Sequence, residues 1–229
     1  MRGRVTVCAA IALVSGLATA APAFARATGR TTLATFAGYE ATGSYRSVSA
    51  TFTVPAQHCS GVEARGASIG IGLGTPGPNA DRIGIAVTCI NGHPTDYSYT
   101  VFPSPFGGGG GFSAPAHAGD VVDLSMVVSQ GAVSFDITDQ TAGWGIAGGA
   151  GPVTANGTAE IGVQHTFLHG VLLPLVDFGS AHFSAAHVGS KSLGSVSNTR
   201  VTMASGGVVE AAPSALSAGS AFTVAWRHS

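Results

Sequence analysis

Ser47-Val48-Ser49-Ala50-Thr51-Phe52-Thr53-Val54 alternates hydroxyl and apolar side chains without a break. In an extended strand successive side chains point to opposite faces. Val48, Ala50, Phe52 and Val54 therefore share one face, and Ser49, Thr51 and Thr53 the other. The same period of two returns at Val133-Ser134-Phe135-Asp136-Ile137-Thr138 and at Phe222-Thr223-Val224-Ala225-Trp226-Arg227. Further strand candidates are Ala67 to Gly72, Asp81 to Thr88, Tyr97 to Phe102, Val121 to Val128, Thr158 to Phe167 and Val201 to Met203. Turn residues separate them at Gly74-Thr75-Pro76-Gly77-Pro78-Asn79, Asn91-Gly92-His93-Pro94 and Gly206-Gly207. No window carries a helical period. The chain reads as all-β, many short strands that close into a sandwich or barrel. Gly107 to Gly111 is the one low-complexity tract and is read as a loop tip, because consecutive glycines lose too much entropy to hold a strand.

The first residues address the compartment. Met1-Arg2-Gly3-Arg4 is a basic head, Val5 to Ala20 is uncharged, and Ala20 to Ala25 is a small-residue stretch. This order is that of a secretory signal peptide, with cleavage expected after Ala25 and Ala18-Thr19-Ala20 as the second choice. The apolar run is shorter than the roughly 20 residues of a spanning helix. Residues 1–25 are read as the signal, 26–37 as a short N-terminal segment and 38–229 as one domain of a secreted, extracellular, monomeric protein. Charged residues are 9% of the chain and the formal charge is -1, so no basic surface invites nucleic acid or anionic lipid. With 45% hydrophobic residues the chain is too apolar for disorder. Cys8 lies in the signal. Cys59 and Cys89 remain, and in an exported protein an even pair is expected to form a disulfide. Closing that loop contributes roughly 3 kcal/mol in the chain-entropy model.

Several stretches resemble one family along nearly the whole mature chain. They are Gly38-Tyr39-Glu40-Ala41-Thr42-Gly43, then Ser47 to Pro55, Thr158-Ala159-Glu160, Pro174 to Gly179 followed by Phe183, and Pro213 to Leu216 with Phe222 to Trp226. In this order they resemble the bacterial glutamic peptidases, or eqolisins. The resemblance implies an antiparallel β-sandwich of two large sheets, like concanavalin A. It also implies hydrolysis of polypeptides at acid pH without a cofactor, by a glutamate that activates water and a glutamine that donates to the oxyanion.

Residue by residue the match is uneven. Ala159-Glu160-Ile161 stands where the family has Ala-Glu-Trp, so Glu160 matches the catalytic glutamate. The family glutamine is the seventh residue before a cysteine, and counting back from Cys89 reaches Arg82. A family tryptophan and aspartate fall on Gly70 and Gly74, and an acidic residue of a Tyr-Glu-x-Tyr-Pro stretch falls on Thr100. Arginine only donates, is permanently charged and is larger than glutamine. Beside Glu160 it is expected to form an ion pair, leaving a poorer base and crowding the attacking water. In the other reading Arg82 takes over the oxyanion role. The expectation is therefore an acid endopeptidase ancestry weakened or lost at Arg82; the alternative is a non-catalytic sandwich that binds peptides or polymers.

Other candidates are weaker. His165 and His169 lie four apart but on a strand entering a loop, with no His-Glu-x-x-His motif, so no zinc site is read. His182 and His187 are read as surface or loop residues. Gln164 shares a strand face with Glu160 but at about 13 Å, too far for a dyad. Asp177 is read as a turn support, and Tyr97 and Tyr99 as residues of a groove or a sheet surface. Asn156-Gly157-Thr158 fits a glycosylation sequon, relevant only in a eukaryotic secretory host. No Asp-Thr-Gly or Asp-Ser-Gly motif is present.

Overall fold

Alternation between core and outer face builds nearly every element of this chain. The computed structural model describes residues 29–33, 35–74, 80–101, 110–150, 157–168 and 171–228. Residues 1–25, read from sequence as a signal, residues 75–79, read as part of a turn, glycines 107–109, Asn156 and His169 lie outside the described residues. The strands begin with β1 (Gly29–Leu33), β2 (Phe36–Tyr45), β3 (Ser47–Thr53), β4 (Arg65–Gly74), β5 (Ala80–Ile90) and β6 (His93–Val101). Next come β7 (Gly110–Pro115), β8 (Val121–Ser129), β9 (Ala132–Asp139), β10 (Trp144–Ala150), β11 (Gly157–His165) and β12 (Phe167–Leu168). The last are β13 (Val171–Leu172), β14 (Ser180–Val188), β15 (Lys191–Ser192), β16 (Thr199–Ser205), β17 (Val208–Pro213) and β18 (Phe222–Trp226). The 3-10 turn Leu193–Ser195 is the only helical element among the described residues.

The expected sandwich is present, with its two layers joined by continuous pairing. One layer runs β10-β9-β8-β3-β14-β18, and the ladder continues as β17-β16-β2-β11-β4-β5-β6-β7. Pairing is antiparallel except between β1 and β16, which run parallel. Within the stretch read from sequence as a short N-terminal segment, residues 26–37, Gly29–Leu33 form β1 and Phe36 opens β2. The Asn91-Gly92 hairpin is tighter than the four-residue turn expected, with φ of 53° and 78°, and β6 starts at His93. Gly110 and Gly111, read as loop, pair with Thr100 and Tyr99 as the start of β7.

The core lies between the layers. Val48, Phe52, Leu124, Met126, Phe135 and Phe183 from the first face Ile69, Ile71, Ile83, Ile85, Ile161 and Val163 from the second. Tyr39 of β2 meets Phe222 of β18 edge to face at 4.9 Å, and Phe222 stacks on Phe183 at 4.8 Å. Tyr39 also donates from its hydroxyl to the carbonyl of Ser214 at 2.8 Å, so its buried polar atom is satisfied. Cys59 and Cys89 are bonded as expected, their Cα atoms 5.4 Å apart, which ties the 54–64 connection to the end of β5.

Candidate functional site

The outer face of β2, β11, β4 and β5 carries the site, and strand register alone assembles it. Glu40 of β2 lies opposite Glu160 of β11, Glu160 opposite Gly72 of β4, and Gly72 opposite Arg82 of β5. Even spacing sends Ala159, Ile161 and Val163 to the core and leaves Glu160, Gly162 and Gln164 on the outer face. Neighbouring strands are about 4.8 Å apart, so Arg82 must reach across a whole strand to meet Glu160. Gly72 permits this. A Cβ there would lie 3.2 Å from both Cγ of Arg82 and Oε2 of Glu160.

Arg82 donates from Nη2 to Oε2 of Glu160, and both residues are buried, 7% and 2% exposed. The ion pair expected from the sequence is therefore formed, away from bulk water. The cavity beside it is about 10 Å³, room for one water at most. Its lining includes Phe36, Ser68, Tyr99 and Gln164. Tyr99, three strands from Glu160, is buried; its hydroxyl interacts with the side chains of Gln164 and Ser68. Burial pushes that phenol up to about 12, against the opposing pull of Arg82. Gln164 is thus a wall of the site and not a partner of Glu160, in keeping with their spacing.

The family's departures have a structural cause. Gly70 and Gly84 face each other across β4 and β5. A Cβ on either would sit 2.1 Å from a carbonyl oxygen of the paired strand. No tryptophan fits at Gly70 on this backbone. Gly74 has φ of 122°, a conformation that disfavours the family aspartate. Register places Thr100 opposite Ile83.

One site residue was not singled out by sequence reasoning. Glu40 faces Glu160, and its Oε1 is buried without a hydrogen-bond partner. Its carboxyl is raised above the ordinary glutamate value by burial first and by the Glu160 charge second, against the pull of Arg82. The available signal was the rarity of charge: a glutamate between Tyr39 and Ala41 in a chain that is 9% charged.

The remaining candidates are accounted for locally. His165 closes β11 with both ring nitrogens engaged, Nδ1 at 2.9 Å from the Leu173 carbonyl and Nε2 at 3.1 Å from Glu210. Among the described residues no group of three or more His, Cys, Asp or Glu side chains is placed to hold a metal ion. No described helix is long and apolar enough to cross a membrane. His182 and His187, read as surface or loop, lie on the outer face of β14, His182 exposed and His187 half-buried. Asp177 supports a turn, accepting from the Gly179 amide at 3.0 Å.

The sequence matches the Peptidase A4 family over residues 34–226. Among solved structures, scytalido-glutamic peptidase with a transition-state analog inhibitor superposes with a TM-score of 0.69 at 16% identity. The match covers 85% of this chain and 98% of that one. SCP-B, a member of the eqolisin family of peptidases in complex with the tripeptide Ala-Ile-His, gives 0.67 at 15% identity, over 85% and 98%. Aspergilloglutamic peptidase from Aspergillus niger gives 0.58 at 21% identity, over 71% and 99%. No curated protein sequence matches this chain. At these identities the structural likeness is one of fold.

Proposed function

The chain belongs to the peptidase A4 family, the glutamic peptidases or eqolisins, and from that premise we propose that it is a secreted, polypeptide-directed glutamic-peptidase-like protein whose acid endopeptidase chemistry is held back by the Arg82–Glu160 ion pair. Residues 1–25 are the secretory signal in this reading, and the sandwich works as a monomer. Glu160 is the base that takes a proton from water, and Arg82 stands where the oxyanion donor belongs. The observation that carries the reading is the buried pair itself. A carboxylate held by a guanidinium must give up that contact before it can take a proton from water. Breaking a buried pair costs on the order of 3–5 kcal/mol, which is several powers of ten in rate if carried to the transition state.

A second reading has its own support. The cavity beside the pair holds at most one water, which fits a sandwich that binds polypeptide without cutting it. Digestion of casein by the purified mature protein between pH 2 and 7, beside Glu160→Gln, separates the two. Slow acid digestion that Glu160→Gln abolishes supports the peptidase. Wild-type protein indistinguishable from Glu160→Gln at every pH supports the binding module.

A further inference from the structure

Three charged side chains share one row of this sheet, and their charges do not balance. Arg82 brings one positive charge, Glu160 and Glu40 bring two carboxyl groups, and only Glu160 is paired with the arginine. The groups facing Glu40 are Glu160 from β11 and, beyond Gly72, Arg82 from β5. From β16 the register places Thr199 opposite it. Arg200, the next residue, donates instead to the Pro213 carbonyl. Two carboxylates on adjacent strands cannot both stay ionised at low cost once buried, and the one without a cation keeps the proton. The buried, unpartnered Oε1 of Glu40 marks it as that one.

We propose that Glu40 is the second carboxyl of the site and acts as its general acid, giving its proton to the leaving amine. This rests on the peptidase reading above. In it, the row of the sheet runs acid, base, donor: Glu40, Glu160, Arg82. A water oxygen attacks the scissile carbonyl carbon and its proton passes to Glu160, while the side chain at position 82 donates to the oxyanion. The tetrahedral intermediate collapses, the C–N bond breaks, and the amine nitrogen takes the proton of Glu40. Glu160 then returns its proton to Glu40, and the site is reset with one water consumed. Pairs of carboxyls whose surroundings separate their proton affinities divide acid and base roles in this way. The raised carboxyl of Glu40 agrees with the assignment. Because it is raised, the acid form persists to higher pH, and activity falls as pH climbs through its titration.

The test uses purified mature protein carrying Arg82→Gln, the background in which the ion-pair brake is removed. Adding Glu40→Gln should lower kcat for an internally quenched peptide by about a hundredfold or more, within the range for removing a general acid. It should also flatten the high-pH limb of the profile, and Glu40→Asp should keep part of both. A loss of activity with an unchanged high-pH limb, or no loss in a folded variant, overturns the acid role. A second readout needs no activity: titration of the side-chain carboxyl carbons of wild-type protein by NMR. The Glu40 midpoint should lie above that of free glutamate and fall in Glu160→Gln. A Glu40 midpoint that is ordinary and indifferent to Glu160→Gln overturns the proposal. Should wild-type protein and Arg82→Gln both be inactive, the peptidase reading fails by itself, the acid role falls with it, and the titration still decides which carboxyl holds the proton.

Discussion

The β3–β8–β9 region and the β4–β5–β11 region are parts of one folded sheet, yet their outer faces have opposite characters. β3 and β8 alternate buried core residues with more open hydroxyl and carboxyl positions. β4 and β5 are buried along nearly their whole length on both faces. The first region spends its outer positions on Ser49, Thr51, Asp123, Ser125, Asp136 and Thr138, which stay within reach of water, with Thr51 and Gln140 donating to Asp123. The second places Glu160, Arg82, Tyr99 and a row of glycines where water is excluded, so each polar group must find a protein partner. One outer face is left to water and the other to buried polar pairing.

Removing a charge should expose this difference most strongly. Glu160→Ala leaves the buried Arg82 without its counter-ion and is expected to cost about 3–5 kcal/mol in urea unfolding. Asp136→Ala on the open face should stay within about 0.5 kcal/mol. Equal costs would mean that the two faces do not differ as described. Next in size, Cys59→Ala with Cys89→Ala should cost about 3 kcal/mol by releasing the loop that anchors β5.

A smaller effect concerns pH. Burial raises Asp81 and Asp96 to about 6, the latter despite its contact with Gln57. Both lie above their unfolded value, so the folded chain holds these protons more tightly. The associated stability is complete below about pH 4 and is lost as pH rises through about 6. Thermal melts should show the protein more stable at pH 4 than at pH 7, by roughly 2 kcal/mol in all once the ideal value of about 2 kcal/mol per group is halved for solvent screening. A melting temperature that rises between those pH values would contradict the assignment. The smallest contrast is at Gly72. Gly72→Ala would crowd the ion pair at 3.2 Å and should cost on the order of 1 kcal/mol, because the arginine stem can shift.

The legibility of the sequence follows the same division. Strands with one wet face announce themselves by alternation: Ser47 to Thr53 and Ala132 to Asp139 were readable because every second residue is polar. β2 was harder to read as a strand, because Phe36, Gly38 and Glu40 put an aromatic, a glycine and an acid on one face. β10 is rich in glycine, and β14 carries a register shift between Ser184 and His187 that breaks its period. Glu160 and Arg82 were found through the resemblance to a family, and no local pattern marks either residue. That they meet depends on Gly72, a residue with no side chain to attract notice. Glu40 escaped because the pairing of β2 with β11 joins residues more than a hundred positions apart, a register that periodicity does not reveal.

The central claim is that Arg82 holds Glu160 out of the reaction, and Arg82→Gln tests it most directly. Casein digestion at pH 3 to 4 by this variant should exceed that of wild-type protein by about tenfold or more, a part of the roughly 10²–10³-fold by which one oxyanion-site residue changes rate. Adding Glu160→Gln should abolish the gain. Wild-type protein that digests casein in this range and loses that activity in Arg82→Gln would contradict the account, and would make Arg82 a working oxyanion donor.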